Sequence, residues 1–479
     1  MKTIGREQEI KRLNECLNEP RAHLIAIYGR RRIGKTFLIR ELFSKNTAYL
    51  EVTGVKGGST DVQKDSFLSA YEKFLGKGIK LSRTQNWKEI LNNLTEHLEK
   101  TKAKVVLFID ELPWLVTPRS GLLEEIDYFW NTRWSKINNL KVILCGSASS
   151  WMIEKVIHNT GGLYNRVTSL IHLKPFFLRE VEEYLKARKF NYERKQIVEL
   201  YLAFGGVPYY LNLLDKNKSP SENINSLIFT KDRELYREYD FLMEALFRDS
   251  ENHEKILNLL VKNRYGLTRT EISNAIEKQD GGGLDRYLSE LKACNFISEY
   301  VPFGKKKQGV YFRLVDEYVM FYKYFLEPQR SRGVEIPKDY WLKKLNTPSY
   351  NSLMGYNFET LCQKHIDSIL EAMSIAGMQV DVSTWSYRAK SKKETGIQID
   401  LVLNRADRVI NLCEIKYNRE PLVLSSKELS KYSERISLFK HYTKTKKSVN
   451  SILISNSGVI ANNKIESTFI KILTCEDLF

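Results

Sequence analysis

A multidomain α/β chain is predicted by three stretches of the sequence. The run Ile25-Ala26-Ile27-Tyr28 leads into Gly29-Arg30-Arg31-Arg32-Ile33-Gly34-Lys35-Thr36, and a helix-like pattern follows to Phe43: strand, glycine loop, helix. Val105-Val106-Leu107-Phe108-Ile109 is an apolar run rich in β-branching, as in a strand buried on both faces, and it ends in Asp110-Glu111. Far downstream, residues 396–404 and 408–417 read as a hairpin that carries Asp400, Glu414 and Lys416. The length of 479 residues leaves room for several domains of about 150 residues each.

The first stretch suits phosphate. Gly29 and Gly34 let the backbone curl so that its N–H groups point inward at phosphate oxygens. The N-terminus of the next helix adds partial positive charge at the same spot. Lys35 can reach the β and γ phosphates, and Thr36 can offer its hydroxyl to Mg²⁺. The loop from Gly29 through Arg30, Arg31, Arg32, Ile33, Gly34, Lys35 and Thr36 to Phe37 is therefore the expected contact for ATP. An ordinary glycine turn is the alternative, and a position between strand and helix argues against it.

In an open α/β sheet the C-terminal strand ends face the ligand crevice. Asp110 would hold Mg²⁺ there through water, and Glu111 would polarise the water that attacks the γ-phosphate. Val142-Ile143-Leu144-Cys145 reads as another buried strand running into Gly146-Ser147, so Ser147 or Ser149 either senses the γ-phosphate or closes a Gly-Ser turn. Arg166 is either a finger for transition-state charge, in its own chain or a neighbour's, or a surface arginine. Trp114, Trp130 and Trp134 read as core; residues 46–53 read as a strand, and 61–76 and 86–100 as helices.

A net charge of +17 favours an anionic partner, nucleic acid and DNA above all. No apolar run is long enough to span a membrane, and the N-terminus turns polar at once without a signal-peptide core. The six cysteines are scattered, lack metal-ligand spacing and read as reduced, buried thiols. A cytoplasmic chain with no membrane partner is expected, and oligomerisation stays open.

Gly5-Arg6-Glu7 opens a helix just before the first strand. The glycine-lysine loop, Phe108-Ile109-Asp110-Glu111-Leu112-Pro113-Trp114-Leu115, the 145–150 turn, Leu173-x-Pro175-Phe176 and Gly205-Gly206-Val207-Pro208-Tyr209-Tyr210 follow in order. This series resembles the archaeal/bacterial ATPase family of the AAA+/STAND type over roughly residues 1–235. The resemblance implies an AAA+-like P-loop NTPase core at 1–172 and a helical lid at 173–250 that includes Gly206 and Pro208. Next, 251–326 reads as three helices and a hairpin with a basic tip, Lys305-Lys306-Lys307, which resembles a winged helix. Its Arg286 and wing lysines would meet phosphates, or the unit makes only contacts inside the chain. Residues 327–350 read as a linker with short helices.

In the last part, 351–479, Glu414 and Lys416 share a strand face and Asp400 lies on the adjoining strand. Glu359 is expected on the first turn of a helix upstream. Glu…Asp…Glu-x-Lys resembles the PD-(D/E)xK nuclease superfamily, which implies a C-terminal α/β restriction-endonuclease-like domain. In that resemblance Asp400 and Glu414 hold Mg²⁺ or Mn²⁺, Glu359 assists, and Lys416 orients water and stabilises phosphate charge. The plainer alternative is an amphipathic hairpin with a surface ion pair. Tyr417, Lys427 and Lys431, and the basic residues Arg388, Lys390, Lys392, Lys393, Lys440, Lys444, Lys446 and Lys447, either line a phosphate path or form a solvated face. Three functions follow as expectations. The first is an Mg²⁺-dependent ATPase that couples nucleotide state to nucleic-acid binding and cleavage. The second is a STAND-type signalling switch whose inactive nuclease fold binds a partner, and the third a protein-remodelling ATPase.

Overall fold

The computed structural model describes residues 3–45, 47–76, 78–83, 86–157, 163, 165–247, 249–276, 281–305, 309–387 and 396–479. Lys306, Lys307, Arg388, Lys390, Lys392 and Lys393 lie outside them. The chain forms two compact units: residues 1–175 with 242–249 and 289–294, and residues 176–241 with 250–288 and 295–479.

The first unit is built on five parallel strands: β1 (His23–Tyr28), β2 (Ala48–Thr53), β3 (Val105–Asp110), β4 (Leu140–Gly146) and β5 (Ser169–His172), ordered β2-β3-β4-β1-β5. Every position of β3 and β4 is buried, as the apolar runs 105–109 and 142–145 require, and Asp110 and Lys141 are buried with them. Alternate residues feed two cores. Leu107, Ile109, Val142 and Leu144 pack with helices Thr60–Leu75, Trp87–Lys100 and Leu122–Thr132, and Trp130 and Trp134 join them. Val106, Phe108, Ile143 and Cys145 pack with helices Glu7–Asn18 and Lys35–Phe43. Trp114 is only half-buried. The sheet's order leaves the C-terminal ends of β1 and β3 flanking that of β4, which brings the glycine loop and Asp110-Glu111 to one edge.

In the second unit, helices Leu178–Ala187, Arg194–Phe204 and Pro208–Asn212 follow β5. Gly206 separates the latter two, and the Phe176 N–H donates to its carbonyl at 2.7 Å. His365 ties this segment to the helix Pro348–Lys364. Its Nε2 accepts from the Leu178 N–H at 2.9 Å, and its Nδ1 faces the Leu361 carbonyl at 2.9 Å, so Nδ1 carries the proton. Burial pushes the His365 imidazole down to about 4. An unfolded histidine titrates near about 6.5, so this residue's stabilisation is full above that pH and is lost as pH falls through 6.5 toward 4, by about 3 kcal/mol in all. Asp400, raised by burial to about 6, works in the opposite sense over much of the same window. The check is therefore the difference in urea stability between wild type and His365→Leu, which should shrink by about 3 kcal/mol from pH 7 to pH 4.

Helices Glu251–Lys262, Arg269–Ala275 and Gly281–Ala293 are followed by the antiparallel pair β7 (Ile297–Tyr300) and β8 (Tyr311–Leu314), with the short β6 (Leu267–Thr268) pairing on β8. Thr268 caps the second helix in the expected way: its side chain accepts from the Glu271 N–H while Glu271 reaches back to the Thr268 N–H at 2.7 Å. Residues 327–350 hold a 3₁₀ turn, Leu342–Lys344, and the fully buried Trp341, whose backbone N–H donates to Asn225 Oδ1 at 3.0 Å. That stretch is anchored, not free.

A mixed sheet completes the unit, ordered β13-β12-β11-β10-β9: β9 (Val380–Tyr387), β10 (Ile397–Arg405), β11 (Val409–Lys416), β12 (Ser448–Ser455) and β13 (Lys471–Thr474). β9, β10 and β11 are antiparallel neighbours, β11, β12 and β13 parallel ones, and the helix Ser426–Thr443 makes the crossover. One expectation needs correcting here. Glu359 does not start a helix but sits near the end of Pro348–Lys364. The helix begins earlier because Thr347 caps it, accepting from the Tyr350 N–H, and Pro348 occupies its first turn.

Candidate nucleotide site and carboxylate site

The glycine loop is held open by backbone conformations that few residues adopt. Gly29 has φ 146°, and a Cβ there would fall 2.2 Å from the Leu173 carbonyl oxygen. Gly34, φ 87°, caps the helix Lys35–Phe43 in the left-handed region, and Arg32 shares that region at φ 72°. The buried Lys35 donates to the carbonyls of Gly29 and Arg30 at 2.8 and 2.9 Å, so its ammonium lies within the loop. Arg30 is buried, Ile33 is core, Arg31 is half-buried, and Phe37 is exposed. Arg6, from the Gly-Arg-Glu turn, donates to the Ile33 carbonyl at 3.4 Å, which brings that turn against the loop.

Thr36 Oγ1 donates to Asp110 Oδ2 at 2.6 Å. A hydroxyl and a carboxylate oxygen in direct contact, beside a lysine and a helix N-terminus, form a hard-oxygen donor set that fits Mg²⁺. Glu111 adopts φ 48° at the head of the short helix Leu112–Leu115. Its carboxylate accepts from Ser147 Oγ at 2.5 and 2.7 Å and from the Ser147 N–H at 3.2 Å. The serine at the end of β4 thus holds the glutamate at the end of β3. Ser149 is buried in the helix Ser149–Met152 that follows. Arg166 is exposed at the turn before β5.

The carboxylate site lies in the second unit. Between Ile399 and Val402 the register of β10 against β9 shifts, with one extra residue on β10, and Asp400 sits in that bulge. A bulge re-aims a side chain, and here Asp400 Oδ2 accepts from the Ile415 N–H of β11 at 3.1 Å. Glu414 and Lys416 share a face of β11 and form an ion pair at 2.7 Å. Burial drives the Glu359 carboxyl well above its ordinary range, and the nearby Asp400 charge drives it further. Burial likewise pushes Asp400 up to about 6, with Glu414 repelling it and Lys416 opposing the shift. Glu414 holds Lys416 above its ordinary range against the effect of burial.

The residues expected from the sequence are thus together, with a difference of partners. Arg435, on the helix Ser426–Thr443, also pairs with Glu414, so both Glu414 oxygens are engaged. Among the described residues no three His, Cys, Asp or Glu side chains converge as a metal-holding group. Glu359 and Asp400 line one cavity, and the Asp400 charge raises the affinity of Glu359 for its proton, a repulsion that a divalent cation would relieve. Arg435, Gln363 and Gln398 were missed from the sequence. Gln363 donates to the Asp400 carbonyl at 3.2 Å, and Gln398 to Asp400 Oδ1 at 3.4 Å. Gln363 follows Glu359 by four residues on a helix and Gln398 precedes Asp400 by two on a strand, so both share a face with a named carboxylate. Tyr417 packs on Phe358 with its hydroxyl 3.2 Å from that of Tyr350, while Lys427 and Lys431 are exposed. Lys447 is tied to Asn404 and Arg405 at 2.6 and 2.9 Å, whereas Lys440, Lys444 and Lys446 are exposed.

All six cysteines are buried and unpaired. Among the described residues no helix is long and apolar enough to cross a membrane. The chain is similar to an uncharacterized protein of Methanocaldococcus jannaschii, 28% identical over 422 residues, which span 86% of this chain and 87% of that one. Among solved structures, the Walker-type ATPase of Pyrococcus abyssi aligns at 20% identity with TM-score 0.47, covering 67% of this chain and 96% of that one. The signal transduction ATPase with numerous domains (STAND) from Pyrococcus horikoshii, which carries a tetratricopeptide repeat sensor, aligns at 17% identity with TM-score 0.33, covering 78% and 52%. Residues 4–214 match the family described as an ATPase domain predominantly from Archaea. With the lysine loop, Thr36–Asp110 and Glu111–Ser147 at one sheet edge, the chain is a P-loop ATPase whose residues 4–214 match that family.

Proposed function

We propose that this ATPase couples its nucleotide state to nucleic-acid binding, and that Glu359, Asp400, Glu414 and Lys416 form a metal-dependent phosphodiesterase centre. The observation that carries the reading is the β10 bulge, which turns Asp400 toward the cavity that Glu359 also lines while Glu414 and Lys416 lie on the adjoining strand. In the nucleotide site, the loop from Gly29 to Phe37 cradles ATP, and Thr36 and Asp110 would hold its Mg²⁺. Glu111 orients the attacking water, and Arg166 is the candidate for stabilising transition-state charge. In the second site, Glu359 and Asp400 would hold Mg²⁺ or Mn²⁺, which supplies Lewis acidity when bound. Lys416, oriented by Glu414, meets the charge on the phosphate. The net charge of +17 makes DNA the expected polyanion. The three helices and β6–β8 serve this reading as a winged helix, and the segment after β5 as the lid.

One observation favours a second reading. Arg435 and Lys416 together neutralise Glu414, as in a nuclease fold kept for binding, and the chain would then be a nucleotide-driven switch. Cleavage of labelled single- and double-stranded DNA and RNA, with Mg²⁺ or Mn²⁺ and with or without ATP, decides between them. Asp400→Ala and Lys416→Ala should each cut the cleavage rate by about 10²–10⁴-fold while ATP hydrolysis persists. Lys35→Ala reports whether ATP gates the reaction. No cleavage of any substrate, with hydrolysis intact, leaves the switch or remodelling. Stimulation of hydrolysis by DNA but not by unfolded protein sets the nucleic-acid reading apart from protein remodelling.

A further inference from the structure

A cavity of about 480 Å³ opens beside Glu359 and Asp400. Its walls are the Arg264–Gly266 turn, Tyr300 and Tyr311 of the β7–β8 hairpin, Arg313, and strand β9. The end of β7 is fixed to the mixed sheet through Phe303. The Phe303 N–H donates to the Thr384 carbonyl at 2.7 Å, and the Phe303 ring packs 5.3 Å from Phe439 in the core of the mixed sheet.

The lining chemistry is aromatic faces with cations. Tyr300 and Tyr311 are stacked, centroids 5.7 Å apart, and the Tyr300 hydroxyl donates to the Tyr265 carbonyl. Tyr265 itself is 63% exposed, a large ring left in solvent at the edge of the cavity. The Arg313 guanidinium lies 5.2 Å from the Tyr300 ring. Arg264 lies over Tyr324 at 4.7 Å and is anchored by the Ser352 carbonyl at 2.8 Å, so its position is set without a ligand. Rings accept any base by stacking, and arginine meets phosphate. The volume is that of a small-molecule site, ~300–1,000 Å³. A paired and stacked base cannot offer its face to such a pocket; an unpaired one can.

We propose that this cavity takes one unstacked nucleotide of a single-stranded nucleic acid, its base against the tyrosines and its phosphate toward Arg313 and the two carboxylates. The proposal deepens the phosphodiesterase reading of that site and rests on it for the chemistry, though not for the binding. It makes single strands, not intact duplex, the substrate class. Tyr265 is the specificity residue whose loss disturbs the fold least, because its ring is exposed.

The test uses the full chain in EDTA, so that nothing is cut, with 12-nucleotide DNA and RNA single strands that each carry one 2-aminopurine, and a blunt DNA duplex of the same sequence. The single strands should bind with quenching of the 2-aminopurine, and the duplex at least about tenfold more weakly. Tyr265→Ala should weaken single-strand binding by about tenfold and abolish the quenching, and Tyr265→Phe should restore both. The DNA and RNA arms say which sugar is accepted. Equal affinity for duplex, or Tyr265→Ala binding with wild-type affinity and quenching, overturns the pocket. The two readings fail separately. If Tyr265-dependent binding is found while no substrate is cleaved with Mg²⁺ or Mn²⁺, the pocket stands and the phosphodiesterase falls. Duplex cleavage indifferent to Tyr265→Ala does the reverse.

Discussion

Glu111→Gln is expected to leave ATP binding within about twofold of wild type and to lower the turnover number by about 10²–10³-fold. The shape of the side chain is kept, so the loop and the Thr36–Asp110 pair are undisturbed. On the proposed role, what is lost is the negative charge that would polarise the attacking water. That role is compatible with the contacts of Glu111: Ser147 donates to it from the end of β4, while Asp110, its neighbour in sequence, faces Thr36. Ser147→Ala should therefore cost less, about tenfold, because it loosens the carboxylate without removing it. Lys35→Ala is the contrasting case. Its ammonium lies within the loop, and removing it should weaken ATP binding itself. Steady-state phosphate release, set beside equilibrium binding of a fluorescent ATP analogue, separates these effects. Glu111→Gln turnover within threefold of wild type would show that another group orients the water.

Much of this could be read from the chain because local pattern and tertiary need agree there. β3 is apolar at every place before its acids, and a strand buried on both faces demands that. The capping box of Thr268 and Glu271 was legible for the same reason, since its donors and acceptors are three residues apart. The hairpin of β10 and β11 was legible from alternation, and with it the nearness of Asp400 to Glu414. What stayed hidden depends on distance in the sequence. Arg435 reaches Glu414 from a crossover helix, and no local spacing joins them. The true start of the helix bearing Glu359 was hidden by weaker means: its cap and first-turn proline lie well upstream in a stretch that reads as linker. The β10 bulge leaves no mark in the pattern at all, because Ile399, Leu401, Val402 and Leu403 are apolar whatever the register. Nor could composition foresee that Phe303, just after β7, would be bonded to β9, since one backbone hydrogen bond and one half-buried ring decide it.

The second large effect concerns stability, and two glycines of the same unit should answer in opposite directions. Gly206→Ala is expected to destabilise by about 4 kcal/mol or more, at the far end of what single substitutions do. A Cβ on residue 206 would lie 1.8 Å from the Phe176 carbonyl oxygen and 2.7–2.8 Å from its carbon and nitrogen, all backbone atoms that no side-chain rotation can clear. The segment cannot retreat cheaply. The Phe176 N–H donates to the Gly206 carbonyl at 2.7 Å, and the buried Tyr201 hydroxyl donates to the Phe176 carbonyl at 2.9 Å. Moving residue 176 away from 206 breaks the first bond and strains the second, leaving buried polar groups unmet. Gly355 is the counterpart. It lies inside the helix Pro348–Lys364, and a Cβ there meets nothing within 4 Å. Alanine should therefore stabilise it by about 1 kcal/mol, through helix propensity and a less free unfolded chain. Urea unfolding followed by circular dichroism reads both. If Gly206→Ala unfolds at the wild-type midpoint, the close approach of residues 176 and 206 does not exist in solution. If Gly355→Ala loses stability, that face of the helix is covered by something packed closely on it.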